Sequence, residues 1–245
     1  GCGRGEWLEK WSKNFDDCIG IENDSSMVDM CIKKGLKVFK GDAINMLSNI
    51  KDDSVSIISI FHMVEHIDHI KLLTLMTECH RVLSKEGILL IETPSIDNLI
   101  VSAKSFYLDP THINPINPDS LLFLLKTIGF HQANDFYING GPLQDDKHSK
   151  ITRILNGVAQ DLLVVATKSS DISKLIFETN KSWQSSLELG IKTLDAAVDF
   201  DLSNEKTLSS FHQFNNYTHG QIQTINKKLL FLDQLKNELN LLNSE

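Results

Sequence analysis

The chain has 245 residues, 41% of them hydrophobic and 23% charged, which excludes a collagen-like, mucin-like or wholly disordered protein. A net charge of −8 leaves no basic footprint for nucleic acid or anionic lipid, and no apolar run is long enough to span a bilayer. Cys2, Cys18, Cys31 and Cys79 form no CxxC pair, so neither a zinc ribbon nor a disulfide framework is expected. The polar, charged start Gly1–Lys10 is no signal peptide, and a reduced, cytoplasmic location follows, with a partner holding the chain at the inner face of the membrane as a variant of it.

The chain opens on a glycine-rich turn, Gly1-Cys2-Gly3-Arg4-Gly5, that runs into Glu6-Trp7-Leu8. Cys18–Glu22 is a short apolar run ending on a carboxylate. Ser25–Lys34 reads as a helix closed by Gly35, and Lys37–Lys40 as a short strand. Ser54–Phe61 is β-branched and nearly all apolar, as a buried parallel strand should be. Ile67–Leu83 reads as a helix with a stripe through Ile70, Leu73, Met76 and Cys79, followed by a buried strand at Gly87–Thr93. Pro118–Ile128 is a helix with proline at its start and Gly129 after its end. Phe130–Ile138 and Val158–Thr167 read as closing strands. Strands alternating with helices predict an α/β fold, a doubly wound and mostly parallel sheet.

All five prolines and eleven of the thirteen glycines precede Lys168. This shift predicts a domain over 1–168 and a helical tail over 169–245. Late in the tail, Ile222, Ile225, Leu229, Leu232, Leu235, Leu239 and Leu242 follow heptad-like steps. Two readings stand side by side: a helix packed on its own domain, and a coiled coil that makes a homo-oligomer through residues 222–242.

The chemistry-bearing residues fall at the carboxyl ends of the expected strands, where open α/β sheets bind ligands. Glycines let the backbone approach a ligand, and Glu22, at the end of a strand, can accept hydrogen bonds from both hydroxyls of a ribose. Gly41-Asp42-Ala43 follows the next strand, and Phe61-His62-Met63-Val64-Glu65-His66 ends the one after. Together, GCGRGEWL, GIENDSSM, GDA, FHMVEHI, RVLSKEGILLIETPS and GF resemble the class I S-adenosylmethionine-dependent methyltransferases. More narrowly, GRGEWL, HMVEHI, ETPS and FYLDPTHINP resemble methyltransferase domains of bacterial surface-polysaccharide synthesis, including O-antigen chain-terminating enzymes.

The resemblance covers roughly residues 1–168 and implies S-adenosylmethionine as cofactor. It implies that Gly1, Gly3 and Gly5 line the methionine part, that Glu22 holds the ribose and that Asp42 and Ala43 border the adenine. Phe61 and His62 would sit beside the sulfonium, and Glu65 and His66 near the acceptor. That family carries an acidic residue on a first strand two positions before the glycine turn, so the chain is expected to be truncated there. A dinucleotide site is the weaker reading, because Gly1-x-Gly3-x-Gly5 departs from G-x-G-x-x-G.

His62 to His66 also spells the H-x-x-E-H pattern of a zinc peptidase. That chemistry needs both histidines on one continuous helix, whereas here the motif directly follows a strand, and no metal is expected. Tyr107, Asp109 and His112 lie in the loop Phe106–Pro115, which either faces an acceptor or forms a rigid lid.

A hydroxyl acceptor needs a base, and histidine suits that work, so His66 or His112 is the candidate, with Glu65 beside them. The expected reaction is methylation of an oxygen on a glycan, a glycan phosphate or another small acceptor. The alternative is a catalytically inactive methyltransferase fold that works as an assembly module through its tail.

Overall fold

The computed structural model describes residues 1–15, 17–145, 150–179, 183–184, 187 and 189–242, with 225–242 as backbone only. After the glycine turn come α1 (Glu6–Trp11), β1 (Gly20–Glu22), α2 (Ser25–Lys33), β2 (Val38–Lys40) and α3 (Ala43–Leu47). β3 (Val55–Phe61) then leads through a single 3₁₀ turn (Val64–His66) into α4 (His69–Val82) and β4 (Leu83–Pro94). α5 (Leu99–Ala103), a second 3₁₀ turn (Ser105–Leu108), α6 (Pro118–Ile128), β5 (Gln132–Gly140), α7 (Ile151–Asn156) and β6 (Ala159–Thr167) follow. α8 (Ser170–Ser173), a π turn (Lys174–Thr179) and α9 (Thr193–Leu242) end the described chain.

The helices start where short polar side chains cap them. Asp24, Asp42, Asp68, Asn98 and Asn117 each accept backbone N–H groups from the first turn of α2, α3, α4, α5 and α6. The Asp68 cap sets the start of α4 at His69, two residues later than the apolar pattern predicts. Its buried face, packed on the main core, is Leu72, Leu75, Met76, Cys79 and Val82; of the predicted stripe Met76 and Cys79 are buried, while Ile70 is 79% and Leu73 47% exposed.

The sheet is not mostly parallel, as the alternation of strands and helices predicts. β1 and β2 pair in parallel as a two-stranded sheet, and a second sheet has the order β3-β4-β6-β5. β3 and β4 are parallel, but β6 is antiparallel to both β4 and β5. β5 and β6 are sequence neighbours, and antiparallel strands need no crossover helix between them.

β3 is less buried than its composition predicts. Ile58 and Ile60 turn toward the core, whereas Ile57 and Ser59, on the opposite face, are exposed. The main core joins Ile60, Leu89, Ile91, Leu162, Val164 and Ala166 of the sheet to Leu75, Met76 and Cys79 of α4 and to Leu121 and Leu125 of α6. On the other face, Ile138, Leu163 and Val165 pack with Phe177.

One compact unit spans Gly1–Ala196. The composition shift at Lys168 coincides with the end of β6, but the unit continues through Phe177 and through the bridges Ile138–Leu189 and Val158–Ile191. A second unit, Ala197–Glu245, is the continuation of α9 over its described residues. The heptad residues from Ile225 onward lie outside the described side chains, and Ile222 is exposed.

Candidate functional site

The glycine turn, β1 and the segment after β3 meet at one edge of the molecule. Gly3 and Gly5 adopt φ of 54° and 78°, the left-handed region that favours glycine. Their surroundings differ. A Cβ on Gly5 would lie 2.6 Å from Leu36 Cδ1 and 2.9 Å from Cys31 Sγ, so Gly5 is there for packing. A Cβ on Gly3 would meet nothing within 4 Å, so that side of the turn is open.

Glu22 faces this turn. Its Oε2 accepts the Gly3 N–H at 2.7 Å, and its Oε1 accepts the Asn23 and Asp24 N–H groups at 2.8 and 2.9 Å. Burial is the largest single influence and raises its pKa, but these backbone donors together outweigh it and hold the carboxyl below its ordinary value. Gly1 is drawn into the same place: a Cβ there would lie 3.6 Å from Glu22 Oε2 and 3.7 Å from Met63 Cγ. Gly1, Gly3, Glu22 and Met63 thus border one space.

The Gly41 N–H donates to the Glu22 carbonyl, which sets Asp42 beside β1; one Asp42 oxygen is spent capping α3, with the half-buried Ala43 as its first residue. Phe61 packs edge-on against Trp7, with ring centroids 5.1 Å apart.

His62 ends β3 at φ 48° and donates its backbone N–H to the Glu92 carbonyl. Its Nδ1 lies 3.4 Å from Glu65 Oε1, and its Nε2 lies 3.3 Å from Glu92 Oε1 and 3.9 Å from Asp161 Oδ1. The Glu65 carboxylate, then that of Glu92, with Asp161 nearby, outweighs partial burial and raises the His62 pKa to about 10. His62 is therefore a cation at neutral pH. Burial raises the pKa of Asp161.

Glu65 is fully buried, and its Oε2 accepts the Thr93 hydroxyl at 3.1 Å. Its carbonyl accepts the N–H groups of Ile113 and Asn114, which ties the loop after α5 to the end of β3. His66 and His112 meet there, with ring centroids 4.7 Å apart. His112 lines a cavity of about 180 Å³ with Pro94, Val101, Ser105, Phe106, Gln160 and Asp161. Tyr107 is 63% exposed, and no described contact brings it to the histidines.

Glu65, His66 and His112 each bring one ligand-type atom within 4.8 Å of the others, and so do His62, Glu92 and Asp161. In the first set each ring engages its Nδ1, with Thr111 and with the Phe106 carbonyl, and keeps its Nε2. His62 and His66 do not share a continuous α-helix, because a 3₁₀ turn holds Val64–His66.

The sequence reading missed Glu92, Thr93, Thr111 and Asp161. Glu92 carried a signal, a carboxylate near the end of a buried strand. Asp161 carried none, because it reaches the site through the antiparallel register that sets it opposite Pro94.

The two glycines make a paired prediction. Gly5→Ala is expected to destabilise the fold by more than the roughly 1–2 kcal/mol of a left-handed residue, since its methyl group also strikes Leu36 and Cys31. Gly3→Ala is expected to cost only that backbone strain yet to lose binding of S-adenosylhomocysteine. Thermal melts with and without that compound separate the two, and equal effects of both would refute the assignment.

A sequence family described as "Methyltransferase domain" matches residues 1–91. The structure is similar to that of an S-adenosylmethionine-dependent methyltransferase from Archaeoglobus fulgidus. Identity is 30%, 69% of this chain and 83% of that one are covered, and the TM-score is 0.61. It also resembles an S-adenosylmethionine-dependent methyltransferase from Thermotoga maritima described as a possible histamine N-methyltransferase, at 18% identity, 69% and 79% coverage and a TM-score of 0.54. A phosphoethanolamine N-methyltransferase from Haemonchus contortus, solved with phosphomonomethylethanolamine and S-adenosylhomocysteine, matches at 14% identity, 69% and 48% coverage and a TM-score of 0.55. The last two show the fold alone. No curated protein matches the sequence.

Proposed function

Starting from the premise that the chain belongs to the S-adenosylmethionine-dependent methyltransferases, we propose that it methylates a hydroxyl of a glycan or glycan phosphate in surface-polysaccharide synthesis. S-adenosylmethionine is the cofactor. It supplies a methyl group on a sulfonium, and transfer leaves a neutral thioether with the electron pair of the broken carbon–sulfur bond. The residues present fit it: Gly3 has no atom within 4 Å of the position a Cβ would take, and the Glu22 carboxylate faces the same turn. Gly1 and Gly3 hold the methionine part, with Gly5, expected there from the sequence, packing the turn behind them; Glu22 holds the ribose, Asp42 and Ala43 the adenine, and Phe61 and His62 border the reacting end.

The observation that carries the acceptor class is the cavity beside His112. Ser105, Gln160, Asp161 and His112 offer donors and acceptors around the Phe106 ring; the lining contains no lysine or arginine, and the neighbouring His62 is already faced by Glu65, Glu92 and Asp161. Mixed hydrogen-bonding groups around an aromatic face suit a sugar ring, whereas an ionised acceptor oxygen would want a cation beside it. The chain's own work is to align the acceptor, to exclude water and to take the hydroxyl proton on His66 or His112.

The test is transfer of labelled methyl from S-adenosylmethionine to oligosaccharides with free or phosphate-capped ends. Label on a sugar oxygen is expected, and label only on amines would overturn the reading. The inactive assembly-module reading is not favoured, because Glu22 and the Glu65–His66–His112 group are in place. The proposed setting is the cytoplasm, at the inner face of the membrane through a partner. Its proposed second partner is another copy of the chain, held through residues 222–242, and a monomeric mass by light scattering would remove it. No helix among the described residues is long and apolar enough to cross a membrane.

A further inference from the structure

We propose that Thr111 and Asp109 are positioning residues that select His66 as the base, by fixing its proton on Nδ1 and leaving the Nε2 lone pair for the acceptor hydroxyl. This rests on the O-methyl-transfer reading above and names the proton path it leaves open.

The argument is a count of hydrogens. The Thr111 hydroxyl has one. Its Oγ1 lies 2.6 Å from Asp109 Oδ1 and 2.8 Å from His66 Nδ1. Asp109 Oδ1 also accepts the Thr111 backbone N–H at 2.8 Å. The hydroxyl of Thr111, its N–H and the neighbouring histidines hold the Asp109 carboxyl below its ordinary range, so Asp109 is ionised and has no hydrogen to give. Two oxygens 2.6 Å apart need a hydrogen between them, and Thr111 is the only source. Thr111 Oγ1 is therefore an acceptor toward His66, and Nδ1 must carry the hydrogen. A neutral imidazole has just one, so Nε2 keeps its lone pair.

His112 differs. Its Nδ1 lies 2.7 Å from the Phe106 carbonyl, which can only accept, so its Nε2 also carries a lone pair. That Nε2 lies 3.9 Å from Asp109 Oδ2, so the lone pair is set near a carboxylate. Its ring packs against His66 and Phe106, with centroids 4.7 and 4.8 Å away, and forms a wall of the cavity; His66 adjoins the cavity behind that ring rather than in its lining, so the acceptor hydroxyl is placed at the His66 edge of this wall. His66 instead has a carboxylate behind it, at the far end of Nδ1–H···Oγ–H···Oδ1. As the acceptor oxygen bonds to the methyl carbon, its proton moves to Nε2 and the O–H electron pair stays on oxygen. The charge then left on His66 faces Asp109 through Thr111. This is the arrangement in which a third group orients a base. The proton leaves Nε2 for solvent afterwards.

The test uses the full chain labelled with ¹⁵N-histidine. Long-range proton–nitrogen spectra are recorded with and without S-adenosylhomocysteine, and His66 is assigned by loss of its signal in His66→Gln. In the wild type, neutral His66 is expected to carry its hydrogen on Nδ1. Thr111→Val, nearly isosteric but without the acceptor, is expected to move it to Nε2, while Thr111→Ser keeps it on Nδ1. Both variants are expected to bind S-adenosylhomocysteine within about twofold of wild type, which shows an intact fold. A wild-type hydrogen on Nε2, or no change in Thr111→Val, overturns the proposal. Failure of the wild type to bind S-adenosylhomocysteine strikes the cofactor assignment instead, and the tautomer is still read without it.

Discussion

Glu22→Gln is expected to weaken S-adenosylhomocysteine binding at least about a hundredfold by calorimetric titration. The carboxylate serves backbone donors on both oxygens: Gly3 on one, Asn23 and Asp24 on the other. A glutamine has one acceptor oxygen, so its NH₂ group must face at least one N–H of the turn. The loss combines the mispaired turn with the ribose contacts proposed for Glu22. Each hydrogen bond to a charged group is worth about 1.5–3 kcal/mol, and about 2.8 kcal/mol is a hundredfold. The pH dependence has a definite sign. The folded pKa is lowered, so the charged form and the binding that depends on it persist as pH falls, until that lowered value is passed. Affinity at pH 5 is expected to match that at pH 7. An affinity in Glu22→Gln equal to wild type would remove Glu22 from the site.

The second large effect is at Glu65. Glu65→Ala removes a fully buried carboxylate that accepts from Thr93 and faces His62. The expected cost is about 2–3 kcal/mol, since His62 is half exposed and solvent absorbs part of the lost pairing. That lowers Tm by roughly 5–10 °C for a unit of this size. His62 adds a pH signature. Its folded pKa, about 10, stands above the unfolded value of about 6.5. The stabilisation is therefore complete below about pH 6.5 and is lost as pH rises through about 10. Urea midpoints are expected to fall between pH 7 and 10 in the wild type, and to fall less in Glu65→Ala. Identical pH slopes in the two proteins would show that Glu65 does not hold the charge on His62.

The placement of much of the candidate site was legible because its residues lie at the ends of local elements. Glu22 closes a three-residue strand, Asp42 caps the helix that follows, and Gly3 and Gly5 adopt the positive φ that their residue type allows. What escaped depends on pairing between distant segments. Asp161 reaches His62 only because β6 runs antiparallel to β4, and no pattern within β6 states its direction. Thr111 reads as a loop threonine until Glu65 fixes the loop by its carbonyl. The stripe of α4 was half right: Met76 and Cys79 are buried, but Ile70 and Leu73, which fit the same helical period, are exposed, and Leu72 and Leu75 are buried in their place. Periodicity gives the spacing of a buried face, and packing decides which of two overlapping faces it is.

The antiparallel register of β6 has a practical consequence. Asp161 stands opposite Pro94, Val164 opposite Ile91 and Val165 opposite Leu90. Val164 belongs to the main core and Val165 to the cluster with Phe177. Because side chains alternate between the two faces, a slip of one residue would exchange these two and carry Asp161 away from His62. A one-residue deletion within Asp161–Val165 is therefore expected to undo both cores and the site in one step.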